Sequence, residues 1–263
     1  MRLGLVSDIH GNGIALDAVL ADGKEQGVDE WWALGDLVAI GVEPATVLER
    51  LTNLDKPVRF VRGNTDRYVV NTGDRPPPFA DDARADPTLV ELHATIHASF
   101  SWTAAYLEGR DRGWRQWLAD LPDEQRTQLP DGTRVLGVHA SPKSDDGPGI
   151  NPYIPAAVLD PLLDGSDADL VVAGHTHVPT DRTACDGRIR AVNLGSVSNP
   201  ITPDLRACYV VIDADEHGHR VQHRRVAYDH DAVLARIAAS SHPAADYISS
   251  FQRGDHVMFE SDL

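Results

Sequence analysis

Asp8 and His10, Asp36, Asn64, His139, and the pair His175 and His177 carry carboxylate, imidazole and amide groups, each able to give a lone pair to a divalent cation. Each stands just after a short apolar run, in LGLVSDIH, WWALGD, RFVRGN, VLGVH and LVVAGHTH. Donors of these types suit borderline ions such as Mn, Fe, Zn, Co or Ni; a site built for magnesium or calcium rarely recruits so many imidazoles. Taken singly, a D-x-H or H-x-H after a strand is a hydrogen-bonded turn more often than a ligand pair. The reading rests on seven such residues recurring in one structural context.

The runs that must position them are Leu3 to Val6, Trp31 to Leu34, Val58 to Val61, Val135 to Val138 and Leu170 to Ala173. They are short, rich in valine and leucine and flanked by glycine, which reads as buried strands. Helical spacing lies between them, at Ile14 to Ala21 and at Pro44 to Leu54, and strands alternating with helices indicate an α/β domain. In such sheets the strand ends converge on one crevice, where rigid elements hold ligand groups in place. Gly35, Gly63 and Gly174 fall at these ends, where a close backbone approach or a positive φ would exclude a side chain, and Gly11-Asn12 opens a helix facing the crevice.

From Asn71 to Pro87 the pattern fails in a proline-rich, aperiodic stretch, expected to be a loop. Helical spacing returns over Thr88 to Leu107 and Trp114 to Leu121. The whole chain, 1–263, is therefore read as a single domain with a helical insertion at about 71–125. Strands are then expected over Thr180 to Ala184, Ile189 to Asn193, Ala207 to Ile212 and Arg220 to Val226, with a hairpin turn at Asp186-Gly187. Asp229 is expected to cap a last helix through Val233, Leu234 and Ile237, and the final ten residues to be loosely held.

The ordered set SDIHGN, LGD, RGNTD, GVHASP and AGHTH resembles the calcineurin-like metallophosphoesterases, whose pattern is D-x-H, G-D, G-N-H-D/E, H and G-H-x-H. NLGSVSNP, from Asn193 to Pro200, extends the likeness toward the small bacterial and archaeal, phosphodiesterase-like branch. The resemblance implies a four-layer αββα sandwich of two mixed β-sheets. It implies two divalent metal ions, one held by Asp8, His10 and His177, the other by Asn64, His139 and His175, with Asp36 bridging. A bridging hydroxide would attack the phosphorus, and Asp36, Asn64 and Asp66 would carry the catalytic roles. Bridged ions of this kind lie about 3.5 to 4 Å apart.

One position departs from the pattern. Where the family has the histidine that serves the leaving oxygen, this chain has Thr65, which does not titrate near neutrality. A matched general acid contributes about 10² to 10⁴ in rate, so its loss weighs most on poor leaving groups. Three outcomes stay open: a phosphodiesterase working without that histidine, which is favoured; a phosphomonoesterase acting on nucleotides or phosphoproteins, with His93 or His97 reaching over the site; and a non-catalytic scaffold.

The formal charge of −16, from 40 acidic and 24 basic side chains, argues against a broad nucleic-acid or anionic-membrane surface. The expected partner is a small phosphorylated substrate, a nucleotide being one candidate, attracted by the metals themselves. Cys185 and Cys208 form no C-x-x-C pair and read as buried thiols. The opening MRLGLVSD is too short for a signal peptide's apolar region, so a cytoplasmic location is the default expectation.

Overall fold

The computed structural model describes residues 1–71, 89–110 and 112–258. One sheet comprises β1 (Arg2–Val6), β2 (Glu30–Leu34), β3 (Val58–Val61), β9 (Ala207–Asp215) and β10 (Gly218–Val226) in the order β10-β9-β1-β2-β3. β1, β2 and β3 run parallel, β9 pairs antiparallel with β1, and β10 pairs antiparallel with β9. The second sheet comprises β4 (Glu124–Gln128), β5 (Arg134–Val138), β6 (Leu170–Ala173), β7 (Thr180–Ala184) and β8 (Ile189–Asn193) in the order β4-β5-β6-β8-β7. Its middle strands β5, β6 and β8 are parallel, and both edges are antiparallel.

Alternation along the strands decides which face meets which layer. Leu3, Leu5, Trp32 and Leu34 point between the sheets, against Val135, Leu170, Val172 and Val192. Val6, Trp31 and Ala33 point the other way, beneath α1 (Gly13–Glu25) and α2 (Pro44–Thr52), meeting Leu16, Val19, Val47 and Leu51. On the far side, α6 (Ala156–Leu163) lays Leu159 and Leu163 over Leu136, Val138, Val171 and Ala173. Central strands buried on both faces read as continuous apolar runs, and the layers are helix, sheet, sheet, helix. The expected four-layer sandwich of two mixed sheets is the observed fold.

Between β3 and β4 lie α3 (Asn64–Val70), α4 (Leu89–Glu108) and α5 (Trp114–Ala119). Phe100 of α4 meets Tyr68 of α3 edge to face at 5.6 Å, and Trp117 of α5 meets Phe60 at 4.9 Å. Trp31, Trp32 and Trp114 are buried, as are both cysteines. The proline-rich loop expected over 71–87 lies outside the described residues apart from Asn71.

Four elements depart from the sequence reading. α3 is too short, at seven residues, to show a period. The edge strand β4, EQRTQ, has no apolar residue. α6 contains Pro161 and follows a loop that masks its start. The helix capped by Asp229, α7 (His230–Ala239), is not the last, because α8 (Ala245–Arg253) follows it. The start of the tail is also tied down, the Met258 amide donating to the Ile201 carbonyl at 2.8 Å, while residues 259–263 lie outside the described residues. No helix among the described residues is long and apolar enough to cross a membrane.

Candidate metal centre

Five of the seven candidate ligands sit in the turns after β1, β2 and β6 with left-handed backbone: Asp8 (φ 55°), His10 (47°), Asp36 (54°), His175 (70°) and His177 (59°). For residues with a Cβ this conformation costs about 1–2 kcal/mol each, a strain that concentrates at functional sites. Hydrogen bonds between the turns hold it. His10 N donates to Asp36 O at 2.9 Å, Asp8 N to Gly35 O at 3.1 Å and Gly174 N to His139 O at 2.8 Å. At two glycines the backbones come so close that a Cβ would strike a carboxylate: one on Gly63 would lie 2.2 Å from Asp36 Oδ1, one on Gly174 2.4 Å from Asp8 Oδ2. Asn12 caps α1 by accepting from Ala15 N at 3.0 Å, as the helix-opening Gly11-Asn12 implies.

All seven side chains come together. Asp8, His10, Asp36, Asn64 and His139 are buried, and His175 and His177 are nearly so. Asp8, His10 and His177 offer ligand atoms within 4.8 Å of one another, and so do Asp8, Asp36 and His139. His139 Nε2 lies 2.9 Å from Asn64 Oδ1 and 3.3 Å from Asp36 Oδ1. His177 Nε2 lies 3.3 Å from Asp8 Oδ1.

The four imidazoles share one device. The Nδ1 of His10 bonds Ala39 O (3.1 Å), that of His139 bonds Leu34 O (2.8 Å) and that of His177 bonds Asn199 O (2.7 Å). His175 uses Nε2 instead, bonding Gly147 O at 2.9 Å. A carbonyl only accepts, so each of these nitrogens carries the hydrogen, and in the neutral ring the opposite nitrogen is left as a lone pair. Carbonyls that fix tautomer and ring plane in this way are the usual support of metal-ligating histidine. The consequence is sharpest where His10 Nε2 faces His177 Nε2 at 3.3 Å, two lone pairs with no hydrogen between them. A cation or an extra proton must lie near such a pair, and the carboxylates at its edge favour either. The donor set therefore fits divalent metal ions.

Without metal, protons take that place. Burial opposes charge on His139, yet Asp36 beside it lifts its pKa to about 10. Burial likewise opposes charge on His177, which Asp8 raises. His10 is held down to about 4 by burial, despite Asp36. Asp36 is kept far below the carboxylate range by His139 even though burial pushes the other way.

Asp66 is fully buried and does not reach into the cluster through a free oxygen: Oδ1 accepts from Leu37 N at 2.9 Å and Oδ2 from Gly63 N at 3.0 Å. It staples the Asp36 turn to the turn that carries Asn64, which is the geometry of a positioning residue. Burial, then the charge of Asp36, pushes it up to about 7 against those two donors. Thr65 donates its backbone N–H to Asp36 Oδ1 at 2.9 Å, while its buried hydroxyl has no hydrogen-bond partner. His97 is exposed and bonds Ser101 within α4 at 3.4 Å; His93 is half-buried on the same helix.

Supporting residues that the sequence did not reveal are Ser7, whose hydroxyl donates to Asp8 Oδ2 at 2.7 Å, and the pair Arg67 and Tyr68. Arg67 forks onto Asp145 at 2.7 and 2.9 Å, and Tyr68 donates to Asp146. Together they pin to α3 the loop that brings Gly147 O to His175. These pairs are 78 residues apart, so no local pattern announces them.

Residues 1–217 match the calcineurin-like phosphoesterase superfamily domain. An uncharacterized protein of Methanocaldococcus jannaschii is 26% identical over 254 residues, covering 92% of this chain and 93% of its own. A UDP-2,3-diacylglucosamine hydrolase of Shewanella halifaxensis is 25% identical over 218 residues, covering 73% and 89%. Among solved structures, a metallophosphoesterase of Sphaerobacter thermophilus superposes with a TM-score of 0.72 at 26% identity, covering 97% of this chain and 99% of that one. A hypothetical protein of Pyrococcus horikoshii has the same fold, with a TM-score of 0.77 at 21% identity and coverage of 95% and 97%. With the family match spanning most of its length and the ligand-type residues of the motif gathered in one buried cluster, this chain belongs to the calcineurin-like phosphoesterase superfamily.

Proposed function

We propose that the protein is a dinuclear-metal-dependent phosphoesterase that hydrolyses phosphodiesters in preference to monoesters. The observation that carries the reading is the set of four imidazoles, each tied by one nitrogen to a backbone carbonyl and gathered together with two carboxylates and an amide oxygen. Asp8, His10 and His177 would hold one ion, Asn64, His139 and His175 the other, and Asp36 both. Bound divalent ions supply positive charge for the phosphoryl oxygens and bring the pKa of coordinated water from 15.7 to near 7. Mn, Fe, Zn, Co and Ni all suit these donors.

The chain's own residues do the rest. The Gly63 and Leu37 amides hold Asp66, which keeps Asp36 and Asn64 in register, and the Thr65 amide fixes the Asp36 carboxylate. Hydrolysis places OH on phosphorus and H on the departing alcohol. Thr65 offers no titratable group for that proton, which favours esters whose alcohol departs readily, while the diester reading is supported by the likeness of NLGSVSNP to the small phosphodiesterase-like branch. Relatives named UDP-2,3-diacylglucosamine hydrolase support a nucleotide-type substrate.

Turnover of bis-aryl and mono-aryl phosphates by manganese-loaded protein tests the proposal. Faster turnover of the diester is expected. Faster turnover of the monoester would favour a phosphatase, and metal-loaded protein inert on both would favour a scaffold.

A further inference from the structure

The family match ends at residue 217, and the described chain runs on through β10, α7 and α8 to residue 258. The two helices pack on each other through Val233, Ile237 and Ile248, and Ile14, Ile40 and Val42 pack against the cluster they form. Ile40 has left-handed backbone (φ 64°), a strained state for a β-branched residue, and it follows Ala39, whose carbonyl holds the Nδ1 of His10. Packing against the C-terminal helices opposes that strain.

The same helices reach the turn that orients His177. Gln252 of α8 is 6% exposed, and its Nε2 donates to the Ser198 carbonyl at 3.1 Å. Its Oε1 accepts from the Tyr228 hydroxyl at 2.9 Å, and that hydroxyl lies 3.2 Å from the Ser198 carbonyl. Across the same planar peptide, the Asn199 N–H donates to Ser196 Oγ at 2.8 Å. With both sides of that plane held, the Asn199 carbonyl is fixed where His177 Nδ1 meets it at 2.7 Å. The turn also grips Asp8, whose carbonyl accepts from Ser196 Oγ at 3.0 Å and from Ser198 N at 3.2 Å. Asp8, His10 and His177 form one ligand group. The carbonyls that orient His139 and His175 belong instead to Leu34 in β2 and to Gly147 in the loop that Arg67 pins to α3, so their support comes from elsewhere.

We propose that Gln252 and Tyr228 are positioning residues for one ion of the pair, acting on His177 through the Ser198–Asn199 peptide, so that the C-terminal helices set the affinity of the Asp8–His10–His177 side and leave the Asn64–His139–His175 side unaffected. The proposal rests on the two-ion reading but not on ester cleavage.

Calorimetric titration of metal-free protein with manganese separates the two sides. The wild type should take up two ions. Gln252→Met combined with Tyr228→Phe removes both donors from the Ser198 carbonyl and should weaken one ion about tenfold while the other changes by less than about twofold. Gln252→Met alone frees the Tyr228 hydrogen to turn to Ser198 and should weaken the same ion about threefold, a reading that stands even if the double variant does not fold. Ser250→Ala is the control, because that hydroxyl meets Tyr247 O and His256 within the tail, and both ions should bind as in the wild type. Crystals of the double variant, at a manganese concentration between its two affinities, should keep the anomalous peak beside Asn64 and His139 and lose the one beside Asp8, His10 and His177. Equal weakening of both ions, weakening of neither, or loss on the Asn64 side would overturn the inference. A wild type that binds a single ion would overturn it together with the two-ion reading, whereas selective loss in a protein inert on esters would uphold it and reject the phosphoesterase reading.

Discussion

Replacing Gly174 by alanine tests how tightly the backbone is built around Asp8. The added Cβ would lie 1.8 Å from Ser7 Oγ, 2.4 Å from Asp8 Oδ2 and 2.6 Å from Ser7 Cβ. Ser7 and Asp8 are fully buried at the end of β1, so neither can swing into solvent. Restoring ordinary contact requires the Asp8 carboxylate to retreat by about 1 Å. Metal–ligand distances tolerate about 0.2 Å, so a shift of this size removes Asp8 from the cluster it shares with His10 and His177. Overpacking alone costs about 1–3 kcal/mol, which for a chain of this size lowers Tm by roughly 2–12 °C. Metal affinity should fall at least about 10–100-fold, the loss typical when a ligand's support is disturbed. Gly109→Ala is the control, because a Cβ there meets nothing closer than 3.5 Å and no positive φ forbids it. Scanning calorimetry and manganese titration of both variants would decide the matter. A Gly174→Ala protein with wild-type Tm and wild-type metal affinity would refute the reasoning.

Asp66→Asn turns an NH₂ toward one of the two amides the carboxylate now satisfies; metal titration should show affinity about 10–100-fold lower, and an unchanged affinity would remove Asp66 from its positioning role. Thr65→His restores a titratable group at the position of the missing acid and should raise turnover of poor leaving groups more than of good ones; equal effects on both would count against a leaving-group role there. Metal binding near pH 7.5 should release protons, because Asp36 holds His139 protonated up to about pH 10 in the metal-free protein while His10, held near 4, is already neutral. Affinity should therefore rise with pH through this range, and the calorimetric enthalpy should depend on the buffer's ionisation enthalpy; a buffer-independent enthalpy would contradict the assignment.

The chemistry of the centre was legible because each ligand follows an apolar strand whose type and length are local properties. A strand buried on both faces reads as a short apolar run, and β1, β2, β5 and β6 are buried over nearly their whole length, while the edge strand β3 is apolar at three of its four residues. What escaped had no local signature. β4 is held by its pairing with β5 and by polar contacts such as Gln125 Nε2 to Phe60 O, so EQRTQ carries no apolar strand signal of its own. The left-handed backbone at Asp8, His10, Asp36, His175 and His177 is imposed by bonds between distant turns, and sequence ordinarily announces such conformations only through glycine. The carbonyls that orient the four imidazoles belong to residues of no special type, Leu34, Ala39, Gly147 and Asn199, whose backbone alone is used. Asp66 was placed by its motif, but its contact with Leu37 gives it a task that the spacing did not disclose.

The central claim is that these side chains hold two ions next to each other. Anomalous diffraction from crystals grown with excess manganese measures this directly. The account predicts two peaks per chain, about 3.5–4 Å apart, both in contact with Asp36 and divided between the Asp8–His10–His177 and Asn64–His139–His175 sides. One peak, none, or peaks held by other residues would contradict it.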